Sequence, residues 1–70
     1  MNNENKANYI SIIKGIMIDR DLSQEKFAQE LGINQTTVSQ WLLGNKKPSY
    51  DNILAICVKF DITPNDFFGF

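Results

Sequence analysis

Four neutral polar residues, Gln35, Thr36, Ser39 and Gln40, stand close together in the middle of the chain. At about 100° per residue they fall within one helical arc of roughly 140°, while Val38 and Trp41 point to the opposite side. One face therefore holds two amides and two hydroxyls, and the other holds core. A glutamine amide can offer both donor and acceptor to adenine, and a hydroxyl can bond to any base edge. The methyl of Thr36 could also meet a thymine methyl, and no side chain in the set repels phosphate. This is chemistry suited to the grooves of a nucleic acid. Polarity alone favours a plain solvated face, and it is the surrounding pattern that reverses that balance.

Other chemistries are excluded by composition. The chain has no histidine and one cysteine. That rules out zinc sites of the Cys/His kind, Ser-His-Asp or Cys-His catalysis and an internal disulfide. There is no glycine-rich phosphate loop. The sequence thus offers no catalytic residue, no metal ligand set and no cofactor site, and a core this small leads us to expect no small-molecule ligand. Cys57 lies between Ile56 and Val58 and reads as a small buried hydrophobe.

Charge is distributed unevenly. The net charge is −1, which as a single figure counts against a polyanionic partner. Between Gly32 and Tyr50, however, the only charges are Lys46 and Lys47. The acids, among them Asp19, Glu25, Glu30, Asp51 and Asp61, lie elsewhere. The middle third can present an acid-free, locally positive surface.

The elements that must position these residues are legible from periodicity and caps. Tyr9, Ile12, Ile13, Ile16 and Met17 follow helical spacing and predict an amphipathic first helix. A strand is rejected because the segment does not alternate and is too long. Gly15 weakens this helix somewhat. Ile10 and Ile18 fall off its stripe, so either the buried face is wide or one of them is exposed or meets a partner. Ser23 is a good N-cap for a second helix, with Glu25 in its first turn. Phe27, Ala28 and Leu31 form the inner face of that helix, and Gly32 supplies its left-handed stop. Ile33 anchors the turn, and Asn34 caps a third helix. Gly44-Asn45-Lys46-Lys47-Pro48 reads as a loop. Ser49 caps a fourth helix with Ile53, Ile56, Cys57 and Phe60 inward. Thr63-Pro64-Asn65-Asp66 reads as the start of a short fifth helix carrying Phe67 and Phe68.

Seventy residues form one domain with a small core, burying about 60–65% of the surface of the unfolded chain. The expected organisation is a polar arm over residues 1–8 and a globular domain over 9–70. No apolar run is long enough to span a membrane and the start is not a signal peptide, so the expected residence is cytoplasmic.

The stretch 24–43 resembles the helix-turn-helix domain of the Cro/phage-repressor type, also called the Xre family. The matching positions are Gln24, Phe27, Ala28, Leu31, Gly32, Ile33, Val38 and Trp41, and the flanking Leu22-Ser23-Gln24 and Gly44-Asn45-Lys46-Lys47-Pro48-Ser49 are also similar to the family. In that motif the small residue lets two helices cross closely, the glycine makes the turn and the apolar positions lock the pair. The resemblance covers about Tyr9 to Phe68. It implies an all-α, compact five-helix bundle of the lambda-repressor-like type, with the third helix in the major groove of double-stranded DNA. Gln35, Thr36, Ser39 and Gln40 then occupy base-facing positions. Gln24 occupies a phosphate-binding position at a helix N-terminus, and Thr37, Asn45, Lys46 and Lys47 hold the flanking backbone. The implied function is a transcriptional regulator, a repressor, acting at a palindromic operator as a homodimer. Phe67, Phe68 and Phe70 or the off-stripe isoleucines are candidates for the dimer contact. The alternative is an antitoxin-like or adaptor module that keeps the fold with weak DNA binding.

Two positions depart from the family pattern. Many members pair an arginine at the position of Met17 with an acid at that of Leu42, and here both are apolar. Replacing a buried ion pair by a packed apolar pair is often neutral or stabilising, so the expected result is a substituted structural contact. Leu43 projects near the base-facing arc, where the family often has a polar residue.

Overall fold

The computed structural model describes the backbone of residues 3–63 and 65 and the side chains of residues 9–63 and 65. Four helices form among them: α1 (Asn3–Asp19), α2 (Gln24–Leu31), α3 (Gln35–Leu42) and α4 (Tyr50–Phe60). The all-α architecture follows the expectation. The expected fifth helix, with Phe67 and Phe68, falls on positions outside the described residues. α1 begins at Asn3 and so takes in most of the stretch expected as a polar arm. Glu4, Lys6 and Ala7 are good helix formers, but a polar stretch leaves no hydrophobic period by which to read a helix.

The starts of α2 and α4 are built alike. Ser23 and Ser49 have extended backbone, and each Oγ accepts a hydrogen bond of 3.1 Å, from the N–H of Lys26 and of Asn52 respectively. Asn34 holds the same position and backbone geometry before α3, but its side chain makes no capping bond. Its carbonyl instead accepts from the Thr37 N–H at 3.1 Å. The expected cap is therefore present in backbone form only.

All four helices stop in one way. A residue with left-handed backbone follows each, and the next N–H reaches back five residues to a carbonyl of the last turn. The residues are Asp21 (φ 55°), Gly32 (φ 72°), Gly44 (φ 81°) and Asp61 (φ 57°). The closing bonds run from Leu22 to Met17 at 2.8 Å, and from Ile33 to Ala28, Asn45 to Gln40 and Ile62 to Cys57 at 3.0 Å each. This is the Schellman arrangement, which satisfies carbonyls that a helix end otherwise leaves open. Aspartate serves at two of these sites because its short polar side chain tolerates the left-handed region. Leu22, Ile33 and Ile62 follow three of the caps and pack against the core, so each stop also turns an apolar residue inward.

The core has no polar side chain buried within it among the described residues. Trp41, Phe27, Ile13, Ile56 and Val38 are its largest fully buried members. The rings of Phe27 and Phe60 stack with centroids 5.2 Å apart, tying α2 to α4. Arg20 also meets Phe60. Its guanidinium lies 5.3 Å from the Phe60 ring centroid and donates to the Phe60 carbonyl at 3.2 Å. A cation at the C-terminal end of α4 also favours the helix dipole. On the surface, Lys59 pairs with Glu30 at 3.4 Å, an exposed contact worth about 0.2–1 kcal/mol. The inward stripes of α1 and α4 are as expected, with Tyr9, Ile13, Ile16, Ile53, Ile56, Cys57 and Phe60 buried. Of the two off-stripe isoleucines, Ile18 is 81% exposed, while Ile10 packs against the core.

Two glycines should respond to alanine with opposite signs. At Gly15, inside α1, an added Cβ would meet nothing within 4 Å, so Gly15→Ala should stabilise by about 0.5–1 kcal/mol. At Gly32 the space is equally open, but the left-handed backbone makes Gly32→Ala destabilising by about 1–2 kcal/mol. Urea unfolding midpoints at constant slope would report both.

Candidate nucleic-acid interface

The outward face of α3 depends first on how the helix is seated. Its inner side carries Val38 and Trp41, which are 0% and 2% exposed. These pack into the same core as Phe27 and Ala28 of α2. Ala28, 2% exposed, provides the small side chain where the two helices approach. Gly32 then reverses the chain in a turn too short to let α3 swing independently. With the inner side fixed, the outer arc is set by helical geometry.

Each predicted site residue can be placed on this frame. Gln35 and Thr36 lie exposed in the first turn of α3. Thr37 is partly buried on the flank. Ser39 and Gln40 are partly buried, one turn further along. Ser39 is not free: its Oγ donates to Oε1 of Gln24 at 2.6 Å. The structure thus joins a predicted base-contacting residue to a predicted phosphate-contacting residue at the first position of α2. Gln40 is joined to the loop, its Oε1 accepting from Nδ2 of Asn45 at 3.1 Å. Its backbone carbonyl also accepts from the N–H groups of Asn45 and Lys46, at 3.0 and 3.3 Å.

The basic loop after α3 is held from both sides. Besides the bonds to Gln40, the Lys46 carbonyl accepts from the Tyr9 hydroxyl at 3.4 Å. Pro48 is buried at the far end of the loop. Asn45, Lys46 and Lys47 are exposed, so the backbone is anchored while the amide and the two ammonium groups stay at the surface. Neither lysine forms an ion pair among the described residues; the pair found is Lys59–Glu30. The segment between Gly32 and Tyr50 carries no acid of its own, so the ammonium groups of Lys46 and Lys47 are its only charges.

The two departures resolve differently. Met17 and Leu42 are both partly buried, pack against the core and line one shallow groove beside Leu22 and Gln24. An apolar pair thus stands where an ion pair was an alternative. Leu43 is 70% exposed at the C-cap of α3, beyond the last residue of the helix proper.

Three features were not foreseen: the Gln24–Ser39 bond, the Gln40–Asn45 bond and the Arg20 contact with Phe60. Each joins residues on different elements, and no spacing along the chain reports such a meeting. The lone arginine five residues after the isoleucine-rich centre of α1 was a faint signal, since an arginine beside a helix end commonly seeks carbonyls.

Among the described residues no helix is long and apolar enough to cross a membrane. No curated protein and no solved structure matches the chain. A family model does: the helix-turn-helix model matches residues 13–67, a span that includes the α2–α3 pair, the basic loop and α4. With that span covering more than half of the sequence, the chain belongs to the helix-turn-helix family of the Cro/C1 (Xre) type, a DNA-binding and non-enzymatic family.

Proposed function

We propose that this chain is a sequence-specific regulator of transcription, a repressor, that lays α3 in the major groove of a palindromic operator. The observation that carries this reading is the acid-free outer arc of α3 beside an anchored loop bearing Lys46 and Lys47. Gln35, Thr36, Ser39 and Gln40 meet base edges. Gln24, at the N-terminus of α2, meets a phosphate, where free backbone N–H groups and the helix dipole favour an anion. Thr37, Asn45, Lys46 and Lys47 hold the flanking backbone. Phosphate contacts set register, and base contacts select the site. The protein acts in the cytoplasm as a homodimer, with half-sites about one DNA turn apart, roughly 34–36 Å. The exposed Ile18 supports a place for the dimer contact on α1.

A second reading has its own support. Leu43 exposes an apolar side chain next to the reading face, and the net charge is −1. Both suit an antitoxin-like or adaptor module in which protein contact outweighs DNA binding. Retention on DNA at low salt separates the two. Absence of any retention, with a stable protein complex formed in its place, would establish the second.

Selection of bound sequences from random DNA should yield a palindromic consensus. Against that site, Gln35→Ala or Gln40→Ala should cost about 1–3 kcal/mol and relax preference at one base pair per half-site. Gel shifts on the site and its single-base variants measure both effects, and undiminished discrimination would sink the base-reading roles. Lys46→Ala and Lys47→Ala should behave otherwise. Each should weaken all sequences about equally and reduce the slope of log affinity against log salt by about 1.

A further inference from the structure

We infer that Gln24 is a positioning residue that determines which class of base Ser39 reads. The inference rests on the DNA-reading function proposed above and names the chemistry met at one base pair. A serine hydroxyl has one proton and two lone pairs. In Ser39 that proton is committed to Gln24 Oε1 over 2.6 Å. This separation falls in the range for O–H···O bonds and below that for N–H···O bonds. The atom facing Ser39 is the amide oxygen of Gln24, which can only accept, so the proton comes from the serine. Both residues are partly buried, which limits competition by water and strengthens the bond.

With its proton held, Ser39 has only lone pairs to present and acts as an acceptor. In the major groove the donors are the exocyclic amino groups, adenine N6 and cytosine N4, whereas guanine and thymine show acceptors alone. Ser39 thus favours adenine or cytosine, and guanine or thymine would bring two acceptors face to face. Gln24 keeps both N–H donors of its amide, the form suited to a phosphate oxygen. One side chain then serves two purposes: its oxygen sets the polarity of a base reader, and its nitrogen grips the backbone. The other readers carry no such commitment. Gln35 and Thr36 are exposed, without a side-chain bond among the described residues. The 3.1 Å contact of Gln40 with Asn45 suits either orientation of the two amides.

Selection from random DNA, run in parallel on the wild type, Ser39→Ala, Gln24→Ala and Gln24→Glu, tests this. The base pair whose preference collapses in Ser39→Ala is the one Ser39 reads. In the wild type that position should carry adenine or cytosine on the strand facing Ser39, by roughly tenfold over guanine or thymine, the worth of about one matched hydrogen bond. Gln24→Ala releases the serine proton, so the preference there should shrink to within about twofold while all sequences bind more weakly. Gln24→Glu keeps an acceptor for the proton and loses the phosphate donor. It should retain the adenine or cytosine preference and lose affinity on every sequence. Guanine or thymine at that position in the wild type would overturn the inference. So would an unchanged preference in Gln24→Ala, or a Ser39→Ala profile that collapses at no position. Failure of the wild type to enrich any sequence would overturn the DNA-reading function itself, and this inference with it.

Discussion

The seating of α3 against α2 is the constraint on which everything else in this protein depends. Val38 and Trp41 on one helix, with Phe27 and Ala28 on the other, make a contact that is almost wholly dry. Truncating one such aromatic costs about 3–5 kcal/mol, against a total stability of about 5–15 kcal/mol for a typical domain. So α3 cannot rotate or detach without unfolding much of the molecule. The left-handed turn at Gly32 sets the angle at which α3 leaves α2. Because the inner face of α3 is committed, its outer face is presented in one orientation only, before any partner arrives. A ligand then meets a preorganised surface and does not have to bear the cost of ordering it.

Electrostatics adds little grip of its own. Of the six cations on the described side chains, Arg20 is engaged with Phe60 and Lys59 with Glu30, while Lys14 lies on α1 and Lys26 on α2. Lys46 and Lys47 remain on the loop after α3, on a backbone fixed by Gln40 and by Tyr9 from α1. A protein that neutralises few phosphates gains little sequence-independent affinity. Under the proposed function, discrimination comes from neutral contacts whose strength depends on placement, and this is where rigid seating and the anchored loop matter. The tie from Tyr9 makes the position of the loop a property of the whole fold.

Much of this frame could be read in advance, and the physical reason is repetition. Buried stripes recur every three to four residues, which is why Ile13, Ile16, Ile53, Ile56 and Phe60 were identifiable from spacing. Serine before a helix, as at Ser23 and Ser49, is a local signal with a local cause. Gly32 was legible because glycine occupies left-handed backbone without strain. Asp21 and Asp61 do the same work less visibly, since aspartate is also common in ordinary loops and caps. The polar first turns of α1 carried no period and were missed. At the site, the roll of outward side chains on α3 followed from helical geometry. Their partners did not, because a bond between Gln24 and Ser39 spans two helices and depends on the crossing angle and not on the order of residues.

That same bond bears on how such a protein can change its target over generations. Among the described residues Gln35 and Thr36 make no side-chain hydrogen bond, so either can be exchanged without breaking one, and the fold beneath them contains no buried polar or charged residue. Ser39 has no such liberty. A replacement there leaves the Gln24 oxygen without its donor, and a replacement of Gln24 alters what Ser39 can present. On the proposed reading, descendants of this chain can therefore drift at the first turn of α3 one residue at a time, whereas a change one turn later is felt on two helices at once.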